Sequence, residues 1–551
     1  MRYLLMVILA LQLFGAQYII DFQGNRTFSK ERLYKELGFE PTLWERLFGK
    51  FEPKADEKLL PTLAEELRLF YKEQGFWDAN ITLTLQPPRA IFLIQENDPL
   101  IVKNISIVSN FPIDDLLKLK EGERFIIPHF IAFKHKVKER LLKYGYCSYE
   151  FSPKAYVYKA QRSVYISAYL DHGDVCVVKT INVQGLKTLR KEVVLSHIYI
   201  HTGDILSIEK IEESTRRLYS LEYFDQVRFD YSKKIQNEIF MDLFLKERTK
   251  RHLYKAGIGY ETDRGFLGSF SYKNLNYHTH QPQISLYYSD IKRSFKLADF
   301  YPSLHLFGDF YDVSGYAEYA YEDFDSFKQR ATTLSAKLLK ESRDLSYAFG
   351  VKVARYDIFD TDPCIEHKKY HYLTPFAQIF IDQRDSKIFP TKGYYIKADL
   401  ESTHQYIKTE GEIGSFFPLK KSVIFAKARA GQIWASSIPP SLLFLAGGTQ
   451  TNRAYSYRSI YALDSACRIG GKFLLATTLE YRKLLYEKLY GAIFWDRTYL
   501  SKKEFSLDSY VDGVGFGILY PSPIGTIKAY FGFDPSDFGQ NNLSLYIGAS
   551  F

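Results

Sequence analysis

The chain has 551 residues, a formal net charge of +9, 25% charged and 17% aromatic residues, only 3 Met and a mean hydropathy of −0.23. That length exceeds one compact core, the polarity excludes a helical membrane protein, and the aromatic content excludes a disordered one. What remains is a strand-rich, aromatic-girdled chain of several domains and of the exported kind.

Arg2 precedes an apolar run from Tyr3 to Phe14, broken only by Gln12 and followed by Gly15, Ala16 and Gln17. The run is well short of the roughly 20 residues that span a bilayer as a helix, so residues 1–16 read as a signal peptide cut after Ala16. No later stretch has the length and apolarity of a membrane helix. A mature chain that enters a membrane must therefore do so as a barrel.

Cys147, Cys176, Cys364 and Cys467 are too dispersed for a dense disulfide framework, and a Cys147–Cys176 bridge is left open. Neither a Cys-x-x-Cys pair nor a His/Cys cluster with zinc spacing occurs, so no metal or cofactor is assigned. A Gly-x-Ser-x-Gly elbow is also lacking. No catalytic residue is assigned, and the chain does not read as an enzyme. The positive charge reads as a solvated basic surface, with an anionic lipid surface as the alternative; nucleic acid is not an expected partner.

From Gln17 to Arg248 short strands alternate with amphipathic helices, and one pattern recurs three times. The first unit, 17–97, has a strand Tyr18 to Asp21, a helix from an N-cap at Ser29, a second helix ending at Gly75, and strands at Ile81 to Leu85 and Ile91 to Ile94. Leu63, Leu67 and Phe70 make the apolar stripe of that second helix. The second unit, 98–174, repeats the order with a strand Val102 to Val108, a short helix from Ile113, a long helix to Tyr144, and strands at Ser148 to Tyr158 and Ser163 to Leu170. The third, 175–248, has a strand Val177 to Val183, helices Leu189 to His197 and Ile208 to Leu221, and strands Gln226 to Tyr231 and Glu238 to Lys246. The fold class is α+β, strand-helix-helix-strand-strand, in each unit.

Beyond Thr249 the period changes to two. Tyr311, Val313, Gly315, Ala317, Tyr319 and Tyr321 share one face and Asp312, Ser314 and Glu318 the other; Tyr394, Ile396, Ala398 and Leu400 likewise oppose Lys397, Asp399 and Glu401. A greasy aromatic face backed by an ionic one is the pattern of a transmembrane antiparallel β-barrel over 249–551, and about 300 residues accommodate about 16 strands. The last strand alternates Leu543, Leu545, Ile547, Ala549 and Phe551 with polar and small residues and stops on the aromatic.

These features resemble the superfamily of outer-membrane assembly proteins that join POTRA domains to a barrel. The strand-helix-helix-strand-strand unit is the POTRA pattern. "DQRDSKIFPTKGY", Asp382 to Tyr394, is similar to a barrel signature of that superfamily, carried here by Asp382, Arg384, Asp385, Pro390 and Gly393. "LAGGTQTNRAYSYRSI", Leu445 to Ile460, resembles its inward-folded sixth extracellular loop, with Gly447, Gly448, Arg453, Ala454 and Tyr455 as the motif. The usual core there is Arg-Gly-Phe or Arg-Gly-Tyr. Ala454 replaces the glycine, which implies a negative φ. Gly470 to Arg482 and Ala492 to Thr498 resemble the strands that receive the loop, and Gly515 to Phe533 a penultimate hairpin.

The resemblance implies an ion pair from Arg453 to Glu480, Asp496 or both. It also implies an outer-membrane location with the POTRA units in the periplasm, and a monomeric barrel that assembles or translocates unfolded outer-membrane protein clients. A count of three units fits the TamA type, the outer-membrane subunit of the translocation and assembly module, working with an inner-membrane-anchored periplasmic protein of the TamB kind. A short central assembly subunit and a two-partner secretion transporter are the alternatives. Pairing of the first strand, Leu253 to Tyr260 with Gly257 and Gly259, to the last, with Gly548 and Phe551, reads either as a weak lateral seam or as glycine relief of barrel curvature. An exposed edge at Ser148 to Tyr158 offers strand addition to an extended client.

Overall fold

The computed structural model describes residues 17–41, 45, 51–261, 264–462, 468–522 and 525–546. The predicted leader, 1–16, and the seam residues Gly548 and Phe551 lie outside them. No described helix is long and apolar enough to cross a membrane. The chain divides into two compact units, Met1–Asn182 with Ile200–Ile211 and Asp230–Asp242, and Val183–Tyr199 with Glu212–Phe229 and Leu243–Phe551.

The first module runs β1 (Gln17–Gln23), α1 (Lys30–Glu36), β2 (Lys54–Asp56), α2 (Leu60–Glu73), β3 (Asn80–Gln86) and β4 (Arg89–Gln95). Ser29 caps α1 by accepting from the Arg32 amide, as its position predicts. The α2 stripe of Leu63, Leu67 and Phe70 is buried with Phe22 and Phe92 of the sheet, whose order is β2–β1–β4–β3. The three-residue β2, too short to carry a period-2 signal, was not foreseen in the sequence.

The second module has β5 (Ile101–Ser109), α3 (Ile127–Lys143), β6 (Glu150–Tyr158) and β7 (Ser163–Asp171) in the order β5–β7–β6, with β6 at an edge. The short helix expected from Ile113 is a single 3-10 turn, Asp114–Leu116, with no side-chain cap. The third has β8 (Val177–Gln184), α4 (Lys191–Leu195), α5 (Ile208–Ser220), β9 (Phe224–Asp230), β10 (Lys234–Ile235) and β11 (Glu238–Glu247). Cys147 and Cys176 are joined in a disulfide, Cα atoms 5.8 Å apart.

A device recurs in the first and third modules. Gly24 and Gly185 follow the first strand of each with φ of +83° and +90°, and a Cβ at either would lie 2.1 or 2.0 Å from a carbonyl oxygen of the closing strand, Ile94 or Leu245. Three residues on, Thr27 and Thr188 donate through amide and hydroxyl to Glu96 and Glu247. Glu247 also accepts from the Lys187 and Leu189 amides at 2.8 and 3.0 Å. Residues 187–189 therefore wrap a carboxylate, and α4 starts later than the expected Leu189.

The barrel comprises β12 (His252–Glu261), β13 (Gly265–Asn274), β14 (Gln283–Tyr288), β15 (Lys292–Leu306), β16 (Asp309–Phe324), β17 (Phe327–Glu341), β18 (Leu345–Phe359) and β19 (Lys369–Asp382). It continues with β20 (Gly393–Ser402), β21 (Tyr406–Leu419), β22 (Ser422–Ala435), β23 (Phe473–Tyr486), β24 (Leu489–Ser501), β25 (Tyr510–Ser522), β26 (Gly525–Asp534) and β27 (Asp537–Tyr546). All sixteen pair antiparallel in sequence order. Tyr319, Leu334, Val353, Tyr394 and Leu400 are exposed on the outer wall, while Lys352–Glu401 and Arg429–Glu410 pair inside at 2.8 and 2.7 Å. The outward aromatic, inward ionic reading of the alternation holds.

Within the second unit, α4 and α5 meet the barrel's turns through buried polar groups. Asp312 on β16 accepts from the Ser303 amide at 3.1 Å, lies 3.0 Å from His197, and pairs with Arg217 at 3.3 Å, which also pairs with Glu341 at 2.6 Å.

Burial raises the Glu247 pKa, but the Thr188 hydroxyl and the Lys187, Thr188 and Leu189 amides outweigh it, so the carboxyl stays below its ordinary value of 4.5. A depressed folded-state pKa stabilises above the unfolded value and is lost as pH falls through the folded one. Acid unfolding of the third module, followed by hydrogen exchange of the 187–189 amides, is expected to set in below about pH 4.5. In Glu247→Gln those amides should exchange faster at neutral pH and lose this acid dependence.

Candidate functional site

The 37 residues between β22 and β23 carry the Gly447 to Tyr455 motif back against the strand wall. Gly447 and Gly448 take φ of +106° and +78°, and Gly448 closes a turn by accepting the Asn452 amide. This turn presents Arg453, which is 5% exposed, to Glu480 on β23 and Asp496 on β24, each 1% exposed. The Arg453 Nε and Nη2 donate to the two Asp496 oxygens, both at 2.8 Å, its amide donates to Oδ2 at 3.0 Å, and its Nη1 pairs with Glu480.

Glu480 is held from the other side by Arg482 Nε at 2.6 Å and by the Tyr530 hydroxyl at 3.4 Å. The Arg453 guanidinium lies 3.6 Å from the Phe494 ring centroid and 4.7 Å from that of Tyr530. Two cations and two carboxylates so neutralise one another, and aromatic faces occupy the remaining directions. Both partners offered by the sequence are used. Glutamate and aspartate at inward positions of adjacent strands converge because the loop places one fork between them.

Ala454 is fully buried and is not among the described residues with left-handed φ, in line with the alanine. The space that glycine would give comes from elsewhere: a Cβ on Gly513 of β25 would lie 2.9 Å from the Ala454 Cβ, and one on Gly532 of β26 would lie 2.6 Å from the Arg453 carbonyl oxygen. The rest of the tip is tied to the last strands. Asn542 Nδ2 on β27 donates to the Tyr455 carbonyl at 3.3 Å, Gln540 Nε2 to that of Ala454 at 3.3 Å, and the Tyr455 hydroxyl bonds Asp534. Farther along the loop, Arg458 pairs with Glu322 on β16 at 2.5 Å.

Arg482, Tyr530, Gly532, Asn542 and Arg458 were not singled out in the sequence. Arg482 and Tyr530 were legible in principle, since each lies on the inward period of its strand. Asn542 and Arg458 were not, because their partners are loop carbonyls and a distant strand.

The Asp382 to Tyr394 signature forms the β19–β20 turn, and its Phe389 packs against Phe494 and Tyr530 of the anchor. Arg384 forks onto Asp382 at 2.7 and 2.8 Å; Asp385 accepts from the Thr391 amide and hydroxyl and the Lys392 amide; Pro390 is buried; and Gly393 turns the chain at φ +97°. Gly257 and Gly259 lie on β12, which pairs with β13 throughout its length but with β27 at one described pair, Glu261 with Tyr546.

The model of the Omp85 superfamily domain matches residues 274–551, and the POTRA model, described as a surface antigen variable number repeat, matches 176–247. The chain belongs to the Omp85 superfamily. The outer membrane assembly factor BamA of Neisseria meningitidis is 22% identical over 505 residues, covering 79% of this chain and 61% of that protein. BamA of Neorickettsia risticii is 24% identical over 268 residues, 47% of this chain and 36% of that protein. The chain spans between about a quarter and three fifths of the length of curated relatives of this kind. A crystal structure of Haemophilus ducreyi BamA lacking POTRA domains 1–3 shares the fold at a TM-score of 0.55 and 16% identity, over 82% of this chain and 99% of that one.

This Omp85 barrel lies in the outer membrane, with its POTRA region in the periplasm. Strand β12 leaves the periplasmic side, so the β22–β23 loop is the sixth extracellular loop.

Replacing Arg453 by Ala leaves Asp496 without its hydrogen-bonded cation and Glu480 with Arg482 alone, at a cost of about 3–5 kcal/mol for a buried pair. Loop residues 447–460 are expected to become protease-accessible in intact cells while heat-modifiable gel mobility shows the barrel still folded. Gly532→Val should expose the same loop by displacing the Arg453 carbonyl with every charge retained. Protection equal to wild type in both variants would rule out the anchor.

Proposed function

We propose that this Omp85 protein assembles outer-membrane β-barrel or autotransporter-type clients through a lateral seam between β12 and β27, as a TamA-type subunit. The observation that carries this reading is where the barrel closes, Glu261 of β12 with Tyr546 of β27, on a first strand that carries Gly257 and Gly259. A strand edge with free amides and carbonyls accepts an incoming strand by main-chain hydrogen bonding. Glycines at 257 and 259 lower the cost of parting the edge. Loop six, anchored by Arg453 and bonded to β27 through Asn542, holds the last strand while the first moves. The POTRA edge at β6 receives extended clients, and the periplasmic modules engage an inner-membrane-anchored partner of the TamB kind.

A second reading is favoured by the relatives, both of which carry the name of the central assembly factor BamA. The two readings differ in breadth. Depletion of a TamA-type subunit lowers the surface level of a few barrel proteins, whereas depletion of a central subunit lowers them all.

Cysteines at 261 and 546, placed at the described pair, should cross-link under oxidation. The locked protein is expected to lose client insertion, scored by the heat-modifiable folding of newly made barrel proteins, and to recover it on reduction. Full insertion by the locked form would exclude the seam.

A further inference from the structure

The outer wall beside β12 carries a concavity of about 740 Å³, inside the roughly 300–1,000 Å³ range of small-molecule sites. Two register rows build it. Ala256, Phe270, Leu286 and Phe295 form one, and Ile258, Gly268, Tyr288 and Arg293 the other. Gly268 has no side chain to fill its place between Ile258 and Tyr288, and that absence makes the hollow. Ile258, 97% exposed, stands at its rim.

The hollow is apolar except at one end. Arg293 is the second residue of β15, next to the β14–β15 turn, and that turn is extracellular because β12 starts from the periplasm. The Arg293 guanidinium lies 5.3 Å from the Tyr288 ring centroid, and among the described residues no carboxylate lies within 4.0 Å of it. Glu322 on the neighbouring strand β16 is engaged with Arg458. An outward guanidinium at the extracellular edge of the hydrocarbon band, without a counter-ion, is complementary to a phosphate group; the hollow below it accepts a hydrocarbon chain.

We propose that this concavity binds one phosphate-bearing acylated lipid of the outer leaflet, with an acyl chain against Gly268 and Ile258 and a phosphate on Arg293. The site lies on the strand that the seam would part, so the bound lipid covers the outer face of β12 at rest.

The test uses the full chain in a neutral detergent and native mass spectrometry with diphosphorylated lipid A or its dephosphorylated form. Wild type is expected to retain one phosphorylated molecule, with at least fivefold less retention once the phosphates are removed. Arg293→Gln should lower retention of the phosphorylated lipid to that same level. Gly268→Leu should lower retention of both forms, and it has room, since the nearest atom to a Cβ at 268 is the Tyr288 Cβ at 4.0 Å. Heat-modifiable mobility checks that both variants fold. Equal retention of the two lipids by wild type overturns the proposal whether or not the variants fold, as does wild-type retention of the phosphorylated lipid by a folded Arg293→Gln or Gly268→Leu.

Discussion

Hydrocarbon outside the barrel leaves its charged side chains two places to go, the rims and the lumen, and a charge withdrawn from water needs a partner wherever it lies. The arrangement around Arg453 follows from that constraint. Glu480 and Asp496 face inward by the two-residue period of β23 and β24 and are 1% exposed, so without a cation they would be buried and unneutralised. Of the two cations hydrogen-bonded to them, the strands' own Arg482 reaches only Glu480. The loop supplies the second. Its folding into the lumen is thus part of what makes the wall acceptable, and the wall is what holds the loop.

The dependence reaches the end of the chain through main-chain groups. Once Arg453 is fixed, the carbonyls of Ala454 and Tyr455 are set in space, and Gln540 and Asn542 have defined acceptors. β27 is therefore held on its inner face by the loop and on one edge by β26, while its other edge meets β12 at a single described pair.

How much of this was legible in the sequence depended on the range of each signal. Period-2 alternation is local, so strands such as β16 and β20 and their inward and outward faces could be read directly. The length of the carboxy-terminal region was compatible with about 16 strands. Arg453, Glu480 and Asp496 were found because a short motif and two inward acidic positions survive as sequence patterns. Other features had no local signal. β2 is three residues long, the start of α4 is displaced by a carboxylate about sixty residues away, and the Asp312 contacts join helices to strands over more than ninety residues. The Ala454 substitution shows the same limit: the motif position could be seen to differ, but the compensating Gly532 lies on another strand.

Asp312 and Arg453 apply one rule at two places in the barrel. Each is nearly buried, each joins a non-barrel segment to the wall, and each is met by more than one group of opposite or complementary charge. Multiple partners matter because a single ion pair in a partly wet site contributes little, whereas a fork shared among several fixed groups loses less entropy for each bond formed. The β15–β16 turn and the β23–β24 wall are accordingly the stiff places. Strands β12 and β27 belong to neither, and a conformational change confined to their shared edge would leave both polar clusters intact, so the barrel could part there without exposing a buried charge.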